Sequence, residues 1–309
     1  MKTSYVSHLA VGMSLAVGLS STGVIAESIH TGSDKGSYHN VFCPQIQTAL
    51  KKEYFNHECA TSSGTTDNMA KVKANPTDVG IGQLDLLADA TDLSIVDPDI
   101  GMECMYAVTK DSSMTSLSGL SSRIPLALPG EGSGSEQSFK RLQELDEGLA
   151  SLRNISNTAS AYEAVEKVVN DEAAMAFFVQ FPDTRNAVFK LINENKLTFV
   201  PVINRNILRQ EINGTRLYEA LEVNVTPQGL LSMLKREDAP SIQTSCTKIV
   251  LFTGTSEGLE GNAKSDQDAL IASLEKTERP DKDGWKDMFE NVKTMGQGAI
   301  DDVLKKLDK

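Results

Sequence analysis

Apolar positions change rhythm several times along this chain, and each change marks an element. Leu9 to Leu19 is one apolar run behind the basic Lys2, interrupted only by Gly and Ser, and Val24-Ile25-Ala26 follows with small residues at the spacing a signal peptidase reads. This order predicts a cleavable secretory signal over residues 1–26, because the run is too short and too rich in Gly and Ser to span a bilayer well. No Cys sits at the cleavage point to carry a lipid anchor. No later apolar run approaches the roughly 20 residues a membrane helix needs.

From Glu27 the pattern alternates between short β-type runs, polar Gly/Ser loops and helical stripes. Ser28–Thr31 reads as a strand, Gly32–Ser37 as a loop, and His39–Tyr54 as a helix with Val41, Ile46, Ala49, Leu50 and Phe55 on one side. A strand near Glu58–Thr61 leads through Ser62–Thr66 into a short helix over Asp67–Lys73, capped by Thr65 or Thr66 and stopped by Asn75-Pro76. Val79–Gln83 and Met102–Thr109 are apolar enough for strands. The scheme then restarts. Asp111–Leu120 reads as a connecting turn with a short helix, Ile124–Leu128 as a strand, Gly130–Ser135 as a loop and Glu136–Leu145 as a helix. Ala161–Asn170 is an amphipathic helix, and Ala173–Phe178 and Leu197–Val202 are strands. Strands alternating with helices predict an α/β fold with mainly parallel sheets, here in two lobes.

The C-terminal third is less regular. Asn213-Gly214, Thr226-Pro227 and Ala239-Pro240 mark turns, and Lys248–Phe252 is a strand. Helices are expected over 266–277 and 285–307. In the second, Trp285, Met288, Phe289, Val292, Met295, Ile300, Val303, Leu304 and Leu307 form one stripe. That stripe either packs back on the first lobe or serves a partner, such as a homodimer through this C-terminal helix.

Charge narrows the partners. A formal net charge of −12 disfavours nucleic acid and anionic membrane surfaces, which require Lys/Arg patches. It does not limit a small ligand, which feels only local charge. Cys43, Cys59, Cys104 and Cys246 all lie beyond residue 26, and an even count in an exported protein points to disulfides with three connectivities open. Metal-ligand spacing is absent, since no C-x₂₋₄-C and no clustered His occurs.

The chemistry concentrates in the loops. In open parallel α/β sheets, ligands bind beyond the carboxyl ends of the strands, where helix N-termini offer unpaired N–H groups and partial positive charge. Gly32–Ser37, Ser62–Thr66 and Gly130–Ser135 are all built from residues that bring backbone close and add hydroxyls. Were the first two in one lobe and the third in the other, a guest would be held from both sides, with Asp34, Lys35, Glu131 and the Gln180-Phe181-Pro182 turn lining the gap. Enzyme motifs fail by comparison. After Gly130-x-Gly132 the sixth position is Ser135 instead of Gly, no G-K-[ST] occurs, and neither Ser133 nor Ser135 sits in a nucleophile elbow. No catalytic residue, metal or cofactor is assigned.

The run HTGSDKGSYHNVFCPQIQTAL, then CATSSGTTDNMAKVKANPTDVGIGQLD, resembles the start of type II periplasmic solute-binding proteins. MYAVTKDSSMTSLSGLSSRIPLALPGEGSGSEQSFKRL and SAYEAVEKVVNDEAAMAFFVQFPD are similar to the crossing strand, second-lobe loop and later helix–strand pair of that fold. Within it, the chain looks most like the TAXI group of receptors that serve TRAP transporters. The match covers about 27–203. The first loop departs from it, with Asp34-Lys35 intruding and His39-Asn40 in place of aromatic-Pro.

The resemblance implies two α/β lobes joined by two hinge strands and closing on a ligand. The first lobe would be 27–110 plus 204–309 with a helical tail, and the second 111–203. It places Cys104 and Cys246 on strands near the hinge, which favours Cys104–Cys246 and leaves Cys43–Cys59, a short loop worth about 3 kcal/mol in the chain-entropy model. Ser33, Ser37, Tyr38, Ser63, Gly64, Thr65, Gln83, Ser133, Gly134 and Ser135 match positions that face ligand in such receptors. The expected function is capture of a small anionic or zwitterionic metabolite in the periplasm and delivery to an integral membrane permease of TRAP or ABC type. A carrier of larger apolar or lipid cargo is the alternative, and an enzyme on this scaffold is the weaker third reading.

Overall fold

A computed structural model describes residues 27–34, 36–96, 100–117, 125–212, 214–226 and 240–277, together with the backbone of 292–294. Its first sheet starts with β1 (Glu27–His30), β2 (His57–Ala60) and β3 (Val79–Gln83), which run parallel in the order β2-β1-β3. Its second carries a matching parallel trio, β6 (Leu126–Pro129), β7 (Ile155–Thr158) and β8 (Met175–Gln180), in the order β7-β6-β8. Short apolar strands with helical crossovers form such trios because each strand is covered on both faces.

Two antiparallel strands join the halves. β5 (Met102–Thr109) pairs with β8 and with β9 (Thr198–Val200) in the second sheet. β13 (Ser241–Gly254) spans both sheets. Residues 241–248 of β13 pair with β12 (Glu219–Asn224) and the start of β5, and residues 249–254 lie between β3 and β4 (Leu93–Val96). The architecture is therefore mixed α/β with two sheets and two crossing strands, as the sequence leads one to expect. A small hairpin, β10 (Glu211–Ile212) with β11 (Thr215–Arg216), stands apart.

Helices cover both sheets. A π-helical turn over Tyr38–Phe42 runs into α1 (Cys43–Lys52), whose Ile46 and Leu50 are fully buried. Tyr54, with φ of 68°, ends that segment in the left-handed region and stands almost fully exposed. Around the sheets follow α2 (Thr65–Ala74), α3 (Leu84–Leu87), α4 (Gly134–Leu145), α5 (Glu147–Ala150), α6 (Ala161–Val169), α7 (Ala187–Glu194), α8 (Arg205–Leu208) and α9 (Gly261–Leu274). None of these is long and apolar enough to cross a membrane.

Three cores result. One lies under α1 and α9 with Ile29, Phe42, Ile81 and Leu251. Another lies under α6 and α7 with Tyr106, Phe178 and Phe189. The third is continuous across both sheets, joining Leu84, Leu87 and Phe252 to Phe139, Leu142 and Phe177. Both disulfides form as the resemblance implies, Cys43–Cys59 and Cys104–Cys246. The second links opposed residues of β5 and β13, with Cα atoms 3.9 Å apart.

Several expectations need correction. The N-cap of α2 is Gly64, with φ of 117°, and no hydroxyl side chain caps that helix. Thr65 and Thr66 are the first two residues of the helix itself. Residues 292–294, assigned to a helix, form a strand, β14 (Val292–Thr294), antiparallel to β12. An open sheet edge outweighs a helical stripe at that point. The rest of 285–307, and with it the dimer expectation, lies outside the described residues, as do Lys35, Asn213, Ile124 and 118–120. Residues 219–224 and 241–248 pair in the second sheet, which leaves the lobe boundaries of the sequence reading as an expectation.

Candidate functional site

The carboxyl ends of β1, β2 and β3 face those of β6, β7 and β8 across a seam between the sheets. One half of the seam is shut. The Gly64 turn lies against the start of α4, and a Cβ added to Gly134 would come within 2.3 Å of Gln83 Oε1. Gln83 is 2 % exposed, and its Oε1 has no hydrogen-bond partner. Behind this contact, Asp85 Oδ2 accepts from Ser138 Oγ at 3.1 Å and Tyr218 Oη at 2.8 Å, so α3 is bonded to α4 and to the approach to β12. Burial raises the Asp85 carboxyl above the ordinary aspartate range, against the two hydroxyl bonds that lower it.

The other half is open. A cleft of about 810 Å³ lies between Gly32, Ser33, Asp34, Gly36, Ser37 and Tyr38 on one side and the starts of α6 and α7 on the other, with Glu103, Val179 and Gln180 at its floor. That volume suits a small molecule. Helix starts form most of its walls, and local sequence sets them. Ser160 accepts from the Glu163 N–H, while Glu163 Oε2 accepts from the Ala159 N–H, a reciprocal cap. Asn186 accepts from the Val188 N–H at the start of α7. The first N–H groups of each helix have no intrahelical acceptor, and the first helical residues Ala161, Tyr162 and Ala187 are among those that line the cleft.

Glu103 is the group that chemistry singles out. Its Oε2 accepts from Tyr38 Oη at 2.9 Å and from Gln83 Nε2 at 3.0 Å. Desolvation pushes its carboxyl up to about 7, against the lowering effect of these two bonds, with a smaller contribution from the Asp85 charge. Burial, followed by Glu103, raises the Tyr38 phenol well above the usual tyrosine range.

Of the residues singled out from sequence, Ser33, Asp34, Ser37, Tyr38 and Gln180 meet in this cleft. Lys35 lies outside the described residues, and the other described candidates are not among the cleft's lining residues. Thr65 accepts from the Gln83 N–H, Ser133 caps α4, and Ser135 accepts from the Val179 N–H. Ser63 and Glu131 are exposed, and Phe181 is core, edge-on to Phe42 with ring centroids 5.5 Å apart. The 62–66 and 130–135 loops thus approach each other closely at Gly64 and Gly134, with the Gln83 side chain against the Gly134 backbone. Sequence reasoning missed Glu103 and the Ser160–Glu163 and Asn186–Val188 starts. The S-x-x-E spacing of Ser160 and Glu163 was legible as a capping box, whereas Glu103 lay inside an apolar run that read as plain strand. Among the described residues, no three His, Cys, Asp or Glu side chains group as metal ligands would.

No protein-family model matches the chain, and no curated protein matches it. Solved structures similar to it include an arginine-specific periplasmic binding protein of Salmonella typhimurium, 13 % identical, with TM-score 0.48 over 86 % of this chain and 98 % of that one. An R. palustris protein with adipate is 13 % identical, with TM-score 0.46 over 91 % and 92 %. A protein of glutathione import in Streptococcus mutans is 11 % identical, with TM-score 0.45 over 91 % and 93 %. At these identities and scores the likenesses decide nothing about ligand or partner, for which the cleft itself has to speak.

Proposed function

We propose that this chain is an exported solute-binding receptor that takes a small metabolite into the cleft between its sheets and hands it to a membrane permease. The lobes would be 27–110 with 204–309 and 111–203, amended by the sheet pairing of β12 and the first half of β13, and the permease would be of TRAP or ABC type. The observation that carries this reading is the cleft itself. It is walled by elements of both sheets and floored by the crossing strand β5, so a bound guest touches both halves at once. A guest with that placement stabilises one arrangement of the two halves over others, which is what a permease would read. Larger apolar cargo fits less well, because Asp34, Glu103 and Glu163 all line the cleft.

The test is native mass spectrometry of the freshly purified protein beside Gly32→Phe. Gly32 lines the cleft and a Cβ there meets nothing within 4 Å, so a side chain can be added at the cleft wall without a clash at its base. A retained small molecule in the wild type that is absent from the variant is the expected result. The same adduct in both proteins, or no adduct and no thermal shift with a small-metabolite extract, removes the reading. A carboxyl poised near neutrality is also what a general base needs. Turnover abolished by Glu103→Gln would reassign the cleft to catalysis.

A further inference from the structure

We propose that Asp85, Ser138 and Tyr218 form a latch across the two halves of the molecule, holding the α3–α4 side of the seam shut around a carboxylate that would part it once freed of its hydroxyl donors. The latch joins three separate elements. Asp85 lies in α3, which follows β3 of the first sheet, Ser138 lies in α4, which follows β6 of the second, and Tyr218 stands just before β12. Oδ2 of Asp85 accepts both bonds, at 3.1 Å from Ser138 Oγ and 2.8 Å from Tyr218 Oη. All three residues are buried, at 8 %, 0 % and 1 % exposure.

The seam around them closes against a pull in the other direction. Three side-chain atoms along it are buried with no hydrogen-bond partner among the described residues. They are Gln83 Oε1, Asp85 Oδ1 and, one turn along α4 from Ser138, Arg141 Nε. Each has given up hydration and gained nothing in return, and each would recover a partner if water entered. Burial also raises the Asp85 carboxyl above the ordinary aspartate range, so the two hydroxyl bonds only partly offset the cost of its charge. On the closing side stand those two bonds and the shared core, where Leu84 and Leu87 of α3 cluster with Phe139 and Leu142 of α4. A carboxylate stripped of its donors is an uncompensated buried charge, and parting the seam is the direct way to hydrate it.

The latch lies outside the cleft, since none of its three residues lines it, yet it is tied to the cleft floor through both helices. Gln83, two residues before Asp85, donates to Glu103 and lies against the Gly134 backbone at the start of α4. Ser135, three residues before Ser138, accepts from the N–H of Val179 in the floor. Parting α3 from α4 therefore shifts the supports of Glu103 and Val179 together. The closed side of the seam governs the shape of the open one.

The experiment is hydrogen exchange by mass spectrometry on the full protein. It compares the wild type with Ser138→Ala, Tyr218→Phe, the double variant, and the double variant carrying Asp85→Leu as well. Each single variant should speed exchange in 62–66 and 134–142 by about tenfold, the size of one hydrogen bond to a charged group, and the double variant by more. Exchange in 46–50 and 188–192, which belong to the two cores away from the seam, should hold. Asp85→Leu should then return the seam segments toward the wild-type rate, because an apolar side chain in place of the charge has nothing to hydrate. Loss of packing alone would not be rescued in this way.

Unchanged seam exchange in the double variant, acceleration spread evenly over all segments, or no rescue by Asp85→Leu would each overturn the latch. If the double variant does not fold, the two single variants decide the matter on the same segments. The measurement needs no guest, so its failure would leave the receptor reading untouched.

Discussion

At the scale of the residue, Glu103 and Gln83 connect stability to the site. The Glu103 carboxyl is 4.5 in an ordinary setting and about 7 here. Between those values the folded state holds a proton that the unfolded state has released, so stability falls as pH rises across that window and is level above it. Glu103→Gln should flatten that slope, read as the midpoint of urea unfolding at several pH values. An unchanged slope would mean the carboxyl is not desolvated. Gly134 gives a second prediction. A Cβ there would strike Gln83, so Gly134→Ala should break the Gln83–Glu103 bond or part the seam, at a cost of about 1–3 kcal/mol. Tyr218→Phe removes one of two hydroxyl donors to the buried Asp85 carboxyl and should cost about 1–3 kcal/mol in the same melts.

At the scale of the element, most strands and the main helices were legible because their patterns are local. β1, β3, β5, β6, β8, α4 and α6 each announce themselves by an apolar run or stripe beside a Gly/Ser loop. What escaped was decided by distant partners. β4 and β7 are brief and only partly apolar, and each exists because a neighbour, β13 or β6, offers a free edge. β14 overrode a helical stripe for the same reason. The site was half legible. The Gly32–Tyr38 loop declared itself by composition, but no residue in Ser62–Thr66 or Gly130–Ser135 reveals that these loops would press together. That follows from Gln83 pointing into the space they share. Gly80 tests how tightly that first sheet is packed. A Cβ would sit 2.1 Å from the Phe252 ring, so Gly80→Ala should lower the thermal midpoint sharply, by displacing Phe252 from the core that both sheets share.

At the scale of the whole molecule, the seam explains how one chain can be both fused and open. Along the α3–α4 side the two sheets share a core and the Asp85 bonds, and along the other a cleft remains. Cys104–Cys246 staples the two crossing strands at their junction, closing a span of 142 residues. The chain-entropy model assigns such a loop about 4–5 kcal/mol. The Cys104→Ala, Cys246→Ala double variant should therefore unfold at distinctly lower denaturant, with the Cys43–Cys59 bridge intact.

The central claim is that both halves of the molecule close on one small guest. Hydrogen exchange by mass spectrometry, before and after addition of a dialysable small-metabolite extract, addresses it directly. Segments 32–38, 160–163 and 186–188 should slow together, while 62–66 and 130–135, already pressed shut, should change little. Unchanged exchange in all three cleft segments, or slowing confined to one sheet, would contradict it.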